Sequence, residues 1–292
     1  MKSAFYRSSG QIRRQLRNHT LIAPITWHQE RRFTDLVVDP SGHDDLIGAV
    51  QRFRGKAYLE DGALHPSQLT SDGRFCQPAD YNSWHLVVQD DLGEVVSCAR
   101  YYPIKDPRFE STAASKSALA KSPQWRAKVK RAVDASIRQA AERGATFAEL
   151  GGWCVANQSR NSAQALRTVL LMFALGEILG GTVGFSTATK RHSSSSILQR
   201  LGAQNAGTDG EALPSYYEPM FACEMELLQF DSLRPAPRYA PRVAEYAALM
   251  KSEIRVLCRE SAPSSCGASL SALFNALAPV THCDAGLYAR ET

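Results

Sequence analysis

The chain has no run of apolar residues approaching the roughly 20 needed to span a bilayer. Its basic start, Met1 to Thr20, has no apolar h-region. The expectation is a cytoplasmic protein with no transmembrane segment and no secretory signal. None of its seven cysteines (Cys76, Cys98, Cys154, Cys223, Cys258, Cys266 and Cys283) forms a C-x-x-C pair, and their number is odd. That disfavours both a disulfide framework and a zinc site, so free thiols in a reducing compartment and no metal are expected. There is no G-x-S-x-G, hence no serine on the nucleophile elbow of a hydrolase. The net charge of +5 is too small to argue for nucleic acid.

What is present is a globular composition: 292 residues, 44% of them hydrophobic, ample for one core. Asp44 to Phe53 reads as a helix with Asp44 or Asp45 near its start, and Ala57-Tyr58-Leu59 as the beginning of a strand that breaks at Asp61-Gly62. Trp84 to Gln89 and Glu94 to Tyr101 form a hairpin around Asp90-Asp91-Leu92-Gly93. A Ser/Ala/Lys-rich connection, Ile104 to Pro123, leads to a helix over Gln124 to Glu142, where Trp125, Val129, Val133 and Ile137 make an apolar stripe. Thr146 to Val155 is a strand, Ser162 to Leu179 an apolar helix and Thr182 to Thr187 a second strand. A short helix ends at Leu201-Gly202, and Tyr216 to Phe230 supplies one or two closing strands. After the prolines at 235, 237 and 241, Val243 to Arg259 and Leu270 to Leu277 read as helices of a tail. The implied division is an extension (1–43), a catalytic unit (44–232) and a linker with a helical tail (233–292).

Four features could carry chemistry. The turn Arg160-Asn161-Ser162-Ala163-Gln164-Ala165 opens the apolar helix, so its unpaired N–H groups, the positive end of the helix dipole and the Arg160 charge all suit a pyrophosphate. Its plainer reading is a capped helix with Asn161 or Ser162 at the cap. Glu149 is the only acid in its strand and is followed by Leu150-Gly151-Gly152, so a ligand can approach closely. Partly desolvated there, its carboxylate could take a proton from an amine; the alternative is a Glu paired with Arg100 or Arg160. Arg100 ends a buried strand, where its planar fork could bind an acceptor carboxylate or form a structural salt bridge. Backbone N–H groups near Trp153 to Val155 could hold an oxyanion. His85 and His192 read as structural or surface groups, the serines 193–196 as a helix cap, and the basic face of the 124–142 helix as solvated or as a contact for an acidic carrier protein.

Several of these pieces resemble the GNAT superfamily of acyltransferases. The turn at Arg160 to Ala165 is an R-x-x-A-x-A version of that family's pyrophosphate loop. The branch it is most similar to contains the N-acyl amino acid synthases, with the acyl-homoserine-lactone synthases as more distant relatives. Arg54 and Tyr58, four apart, look like the arginine and aromatic that open the lactone-synthase pattern, and Asp80 stands near its acidic pair. Val95-Val96-Ser97-Cys98-Ala99-Arg100 is similar to its v-v-x-c-x-R strand, and Glu149 falls where the family places its base. Tyr216-Tyr217-Glu218-Pro219 with Cys223-Glu224-Met225-Glu226 resembles the closing segment of the amino-acid-acylating branch. The pattern departs at Leu64 and Ala148, where lactone synthases carry tryptophan and arginine, and at Leu198, where ordinary acetyltransferases often place a tyrosine acid.

The resemblance implies a three-layer α/β fold, a central, mostly antiparallel mixed sheet flanked by helices, followed by a helical tail. It implies an enzyme that moves a long-chain fatty acyl group from acyl carrier protein or acyl-CoA to an amine, that of an amino acid, with no tightly bound cofactor. The thioester would lie in a V-shaped gap between two splayed strands. Glu149 and Arg100 would be catalytic. Val155 and Arg160, Asn161, Ser162, Ala163, Gln164 and Ala165 would hold the donor, and Arg54, Tyr58 and Trp153 the substrate. The alternatives are a lactone-type signal synthase, an acetyl-CoA-dependent acetyltransferase and a silent acyl-thioester-binding module.

Overall fold

The computed structural model describes residues 16–27, 32–159 and 163–259. Its centre is a ten-stranded mixed sheet. In chain order the strands are β1 (His19–Ile22), β2 (Leu36–Val38), β3 (Trp84–Gln89), β4 (Val95–Pro103), β5 (Thr146–Val155), β6 (Thr182–Thr189), β7 (Gln204–Asn205), β8 (Gly207–Thr208), β9 (Glu211–Ala212), β10 (Tyr216–Glu218), β11 (Cys223–Asp231) and β12 (Arg255–Cys258). The sheet runs β10-β11-β6-β5-β4-β3-β1-β12-β2, with β7 paired to β11, while β8 and β9 form a separate ribbon. The pairs are antiparallel except β5–β6, β1–β12 and β12–β2.

Successive side chains of a strand point to opposite faces, and the two faces carry different helices. Ala99, Tyr101, Ala148 and Leu150 join the cluster under α5 (Gln164–Ile178) and α7 (Ala240–Glu253), with Leu198 and Leu201 of α6 (Ser194–Leu201). On the other face, Phe147, Val183 and Phe185 pack under α4 (Arg126–Glu142), and Val87, Cys98 and Cys154 under α1 (Pro40–Glu60). Two short helices, α2 (Ala113–Lys116) and α3 (Ala118–Lys121), fill the connection before α4. The mixed three-layer α/β architecture expected from the sequence is the one observed.

Two local expectations are corrected. The first helix is longer than expected: it starts at Pro40, capped by Asp39, whose side chain accepts from Gly42 N at 2.9 Å, and it runs to Glu60. The strand expected at Ala57 is its last turn, because Ala57 and Tyr58 pack on the sheet at helical spacing from Ile47, Val50 and Arg54. The helix expected over 243–259 stops at Glu253. Ile254, Val256, Leu257 and Cys258 are buried, and the segment enters the sheet as β12, parallel to β1 and β2. The sheet therefore draws strands from both sides of the span 44–232, β1 and β2 before it and β12 after it. The helix expected over 270–277 lies outside the described residues.

Candidate active site

The site grows from a break in the sheet. Strands β5 and β6 are parallel and pair only from Thr146↔Thr182 to Glu149↔Phe185; residues 150–155 have no partner in β6. Against β4, Arg100 lies opposite Gly151 and Cys98 opposite Cys154, so Gly152 and Trp153 together face Ala99. This is a β-bulge, and Gly152 has φ +56°. An L side chain rarely adopts that conformation, and a bulge bends and twists its strand. The pair of glycines in sequence thus becomes a bend that swings the end of β5 away from β6. The result is a V-shaped gap with Glu149 at its vertex.

Glu149 is half-buried on the α4 face, opposite Tyr102 of β4. Its Oε1 accepts from the amide of Ala113 at 2.6 Å, at the start of α2, and it makes no salt bridge among the described residues. Burial raises its carboxyl above the ordinary range, against the Ala113 amide and the Arg100 charge, which favour the ionised form. Glu218 of β10 does the same at the start of α3, accepting from Ala118 N at 2.9 Å.

Arg100 is on the same face, two residues from Tyr102. Its Nη1 donates to Asp80 Oδ1 at 2.9 Å and Gln77 Oε1 at 2.7 Å. Its Nε is buried without a partner, and a Cβ built on Gly151 would stand 3.9 Å from its Nη2. One edge of the fork is therefore engaged, and the Nε–Nη2 edge faces the bare glycine strand. Arg100 thus makes a structural salt bridge with Asp80, and its Nε is left without a partner.

Asp80 is the hub beneath it. Its carboxylate, fully buried, accepts from Arg54 Nη2 at 2.6 Å, Gln51 Nε2 at 3.0 Å and Gln77 N at 3.0 Å as well as from Arg100. Burial alone would push its carboxyl up; the Arg54 and Arg100 charges overcome this and hold it well below the usual carboxylate range. Arg54 is likewise held protonated by Asp80 in spite of burial, and it also donates to Phe75 O at 3.2 Å. Burial pushes His85 down to about 3, so it is neutral, with its Nε2 on Asp80 O at 2.8 Å. The cluster holds two guanidiniums and one strong acid, an excess of one positive charge.

Of the residues singled out from the sequence, Glu149, Arg100 and Trp153 border the gap. Trp153 is half-buried against the cluster under α5, with its Nε1 buried and unpartnered. Arg54 is fully buried beneath Gly152 and supports Arg100 through Asp80. Tyr58, one turn further along α1, is half-buried with its ring against Phe75 (5.8 Å) and Phe221 (6.2 Å). Val155 ends β5 and is buried. Arg160, Asn161 and Ser162 lie outside the described residues. After them, Ala163 is exposed and Ala165 buried, and Gln164 reaches back through Thr168 Oγ1 (3.3 Å) to Ser97 Oγ of β4 (2.9 Å). Leu64 and Leu198 are buried, and Ala148 is sealed under α5. All three departures from the related patterns are therefore packed apolar positions.

Sequence reasoning did not assign roles to Gln51, Gln77 or Arg191. Arg191 donates to the backbone O of Asp61 at the end of α1 and to Ala222 O (2.7 Å) between β10 and β11, and His192 Nε2 lies 3.2 Å from Asp61 Oδ1. Asn157, after β5, donates to Glu60 Oε2 at 3.0 Å. The end of α1 is thus tied to both arms of the V. No motif marks these contacts, because each joins residues far apart in the chain.

No protein-family model matches the chain, and no curated protein matches it. Solved structures similar to it include the CoA-dependent acyl-homoserine lactone synthase BjaI with MTA, at 14% identity over 84% of this chain and 95% of that one, with a TM-score of 0.49. The AHL synthase LasI gives 13% identity, coverages of 68% and 87% and a TM-score of 0.44. FeeM, an N-acyl amino acid synthase from uncultured soil microbes, gives 14% identity, coverages of 73% and 93% and a TM-score of 0.39. These belong to the branch that the sequence resembles. At such identities and TM-scores the likeness carries no argument about chemistry, which rests on the chain's own residues.

Proposed function

We propose that the chain is an N-acyltransferase that moves a fatty acyl group from a phosphopantetheine thioester to the amine of an amino acid. The observation that carries this reading is the V-gap. It joins a carboxylate of raised pKa at its vertex, an Arg100 Nε without a partner on the same face, and a strand segment, 150–155, without a β6 partner.

The acceptor carboxylate docks on the Nε–Nη2 edge of Arg100, where the excess positive charge of the buried cluster favours an anion. Its amine then stands beside Glu149 and attacks the thioester carbonyl. The new C–N bond forms, Glu149 takes the amine proton directly or through water, and the carbonyl oxygen becomes an oxyanion held by N–H groups of the splayed strand near Trp153 to Val155. Collapse breaks the C–S bond. Leu198 offers no proton, so the thiolate leaves unassisted or is protonated by water. The donor phosphates dock at the start of α5, on Arg160 and the amides of Asn161 to Ala165. The donor is acyl carrier protein or acyl-CoA, and the protein works in the cytoplasm.

The test is purified protein with acyl-CoA and acyl-carrier-protein donors of several chain lengths and a panel of amino acids, read by mass spectrometry. N-acylated amino acids formed by wild type and not by Glu149→Gln support the reading. No product from any pair, with folded protein and intact thioester, sinks it.

A further inference from the structure

Trp153 is the second residue of the bulge in β5. Its ring packs half-buried on the cluster under α5, and its Nε1 is buried and meets no acceptor. Native proteins leave few buried donors unpaired, because such a group has lost water without gaining a partner. A phenylalanine would fill most of the same apolar space without that cost. The indole N–H therefore calls for an acceptor that arrives with a ligand.

The position says which acceptor, given the acyl-transfer reading on which this inference rests. With phosphates at the start of α5 and the reacting carbonyl at Glu149, the pantetheine arm runs beside residues 150–155. Because Gly152 and Trp153 share one position opposite Ala99, Trp153 stands three rises of about 3.3 Å, roughly 10 Å, along the strand from Glu149. That is beyond the thioester and level with the arm. Two amide carbonyls lie along the arm, and the one farther from sulfur fits this distance. We propose that Trp153 Nε1–H donates to the far amide carbonyl of the pantetheine arm, which makes Trp153 a donor-binding residue that sets how deep the thioester sits.

The experiment compares wild type with Trp153→Phe, which keeps an aromatic ring and removes the donor. The donors are pantetheine and N-acetylcysteamine thioesters of one acyl group; the second keeps the near amide and lacks the far one. The variant should raise KM for the pantetheine thioester about fivefold more than KM for the truncated donor, the worth of one hydrogen bond. An equal change on both donors, or none on either, overturns the proposal. Calorimetry with coenzyme A reads the same bond without turnover: about fivefold weaker binding to the variant is expected, and equal affinity overturns it. A wild type that binds coenzyme A but transfers nothing sinks the acyl-transfer reading alone; one that neither binds nor transfers sinks both.

Discussion

The proton affinity of Glu149 turns on one competition. Burial raises its pKa, while the backbone amides of Ala113 and Ala114 and the nearby Arg100 charge limit the rise. A group held above the ordinary carboxylate value of about 4.3 is a better proton acceptor once ionised. The acid limb of kcat/KM is accordingly expected above that value, with rate rising as Glu149 deprotonates. Glu149→Gln should lose the limb and cost about 10²–10⁴ in rate while keeping donor affinity, which a pH–rate profile and calorimetry check together. At Gly152 the constraint is steric. An alanine Cβ there would meet Arg54 Nη1 at 3.1 Å and Arg100 Cβ at 3.3 Å, at φ +56°. Gly152→Ala should destabilise by about 1–2 kcal/mol from the left-handed backbone alone and raise acceptor KM by displacing Arg100; thermal unfolding and kinetics read the two effects. The Gly-Gly pair was legible in sequence as open backbone beside Glu149. The bulge it forms was not, because the count of residues facing Ala99 exists only once β4 and β5 are paired.

At the scale of elements, the end of α1 ties together the segments that follow β5 and β6. Three of the five non-glycine residues with positive φ among those described, His192, Ser193 and Ala222, cluster where Arg191 ties β6, the β10–β11 turn and α1 together. Left-handed conformations at such residues persist where the surroundings over-determine them. Arg191→Ala removes both ties, so amide hydrogen exchange in the last turn of α1 should speed up by an amount worth about 1–3 kcal/mol, with β3 and β4 unaffected. Helices α4 and α5 and the central strands were readable from their apolar periods, β5 over its full length. Strand β12 was not: a short segment after an amphipathic helix looks like more helix until β1 and β2 supply its neighbours.

For the whole molecule, stability depends on a buried ion cluster and on strands from both ends of the chain. The folded-state pKa of Asp80 lies below its unfolded value of about 3.9. Its contribution is therefore complete above pH ~4 and is lost as pH falls through the folded value. Acid unfolding should steepen below pH ~4, and Asp80→Asn, which leaves two guanidiniums buried without a counter-charge, should cost about 3–5 kcal/mol at neutral pH. Equilibrium denaturation across pH measures both. A chain ended at residue 232 lacks α7 and β12; it should expose the α5 face and be recovered insoluble.

Local pattern, through backbone geometry and apolar spacing, settled the order of the central elements, the class of fold and the pairing of an acid with a bare glycine strand. Those properties depend on neighbours a few residues apart, and the chain displays them in any conformation. Which of the cationic side chains keeps an edge over the glycine strand was decided by folding alone. Arg54 and Arg100 look alike in sequence; the sheet buries one under Gly152 and turns one edge of the other toward the gap, because Asp80 and Gln77 reach them only after residues far apart along the chain are brought into contact.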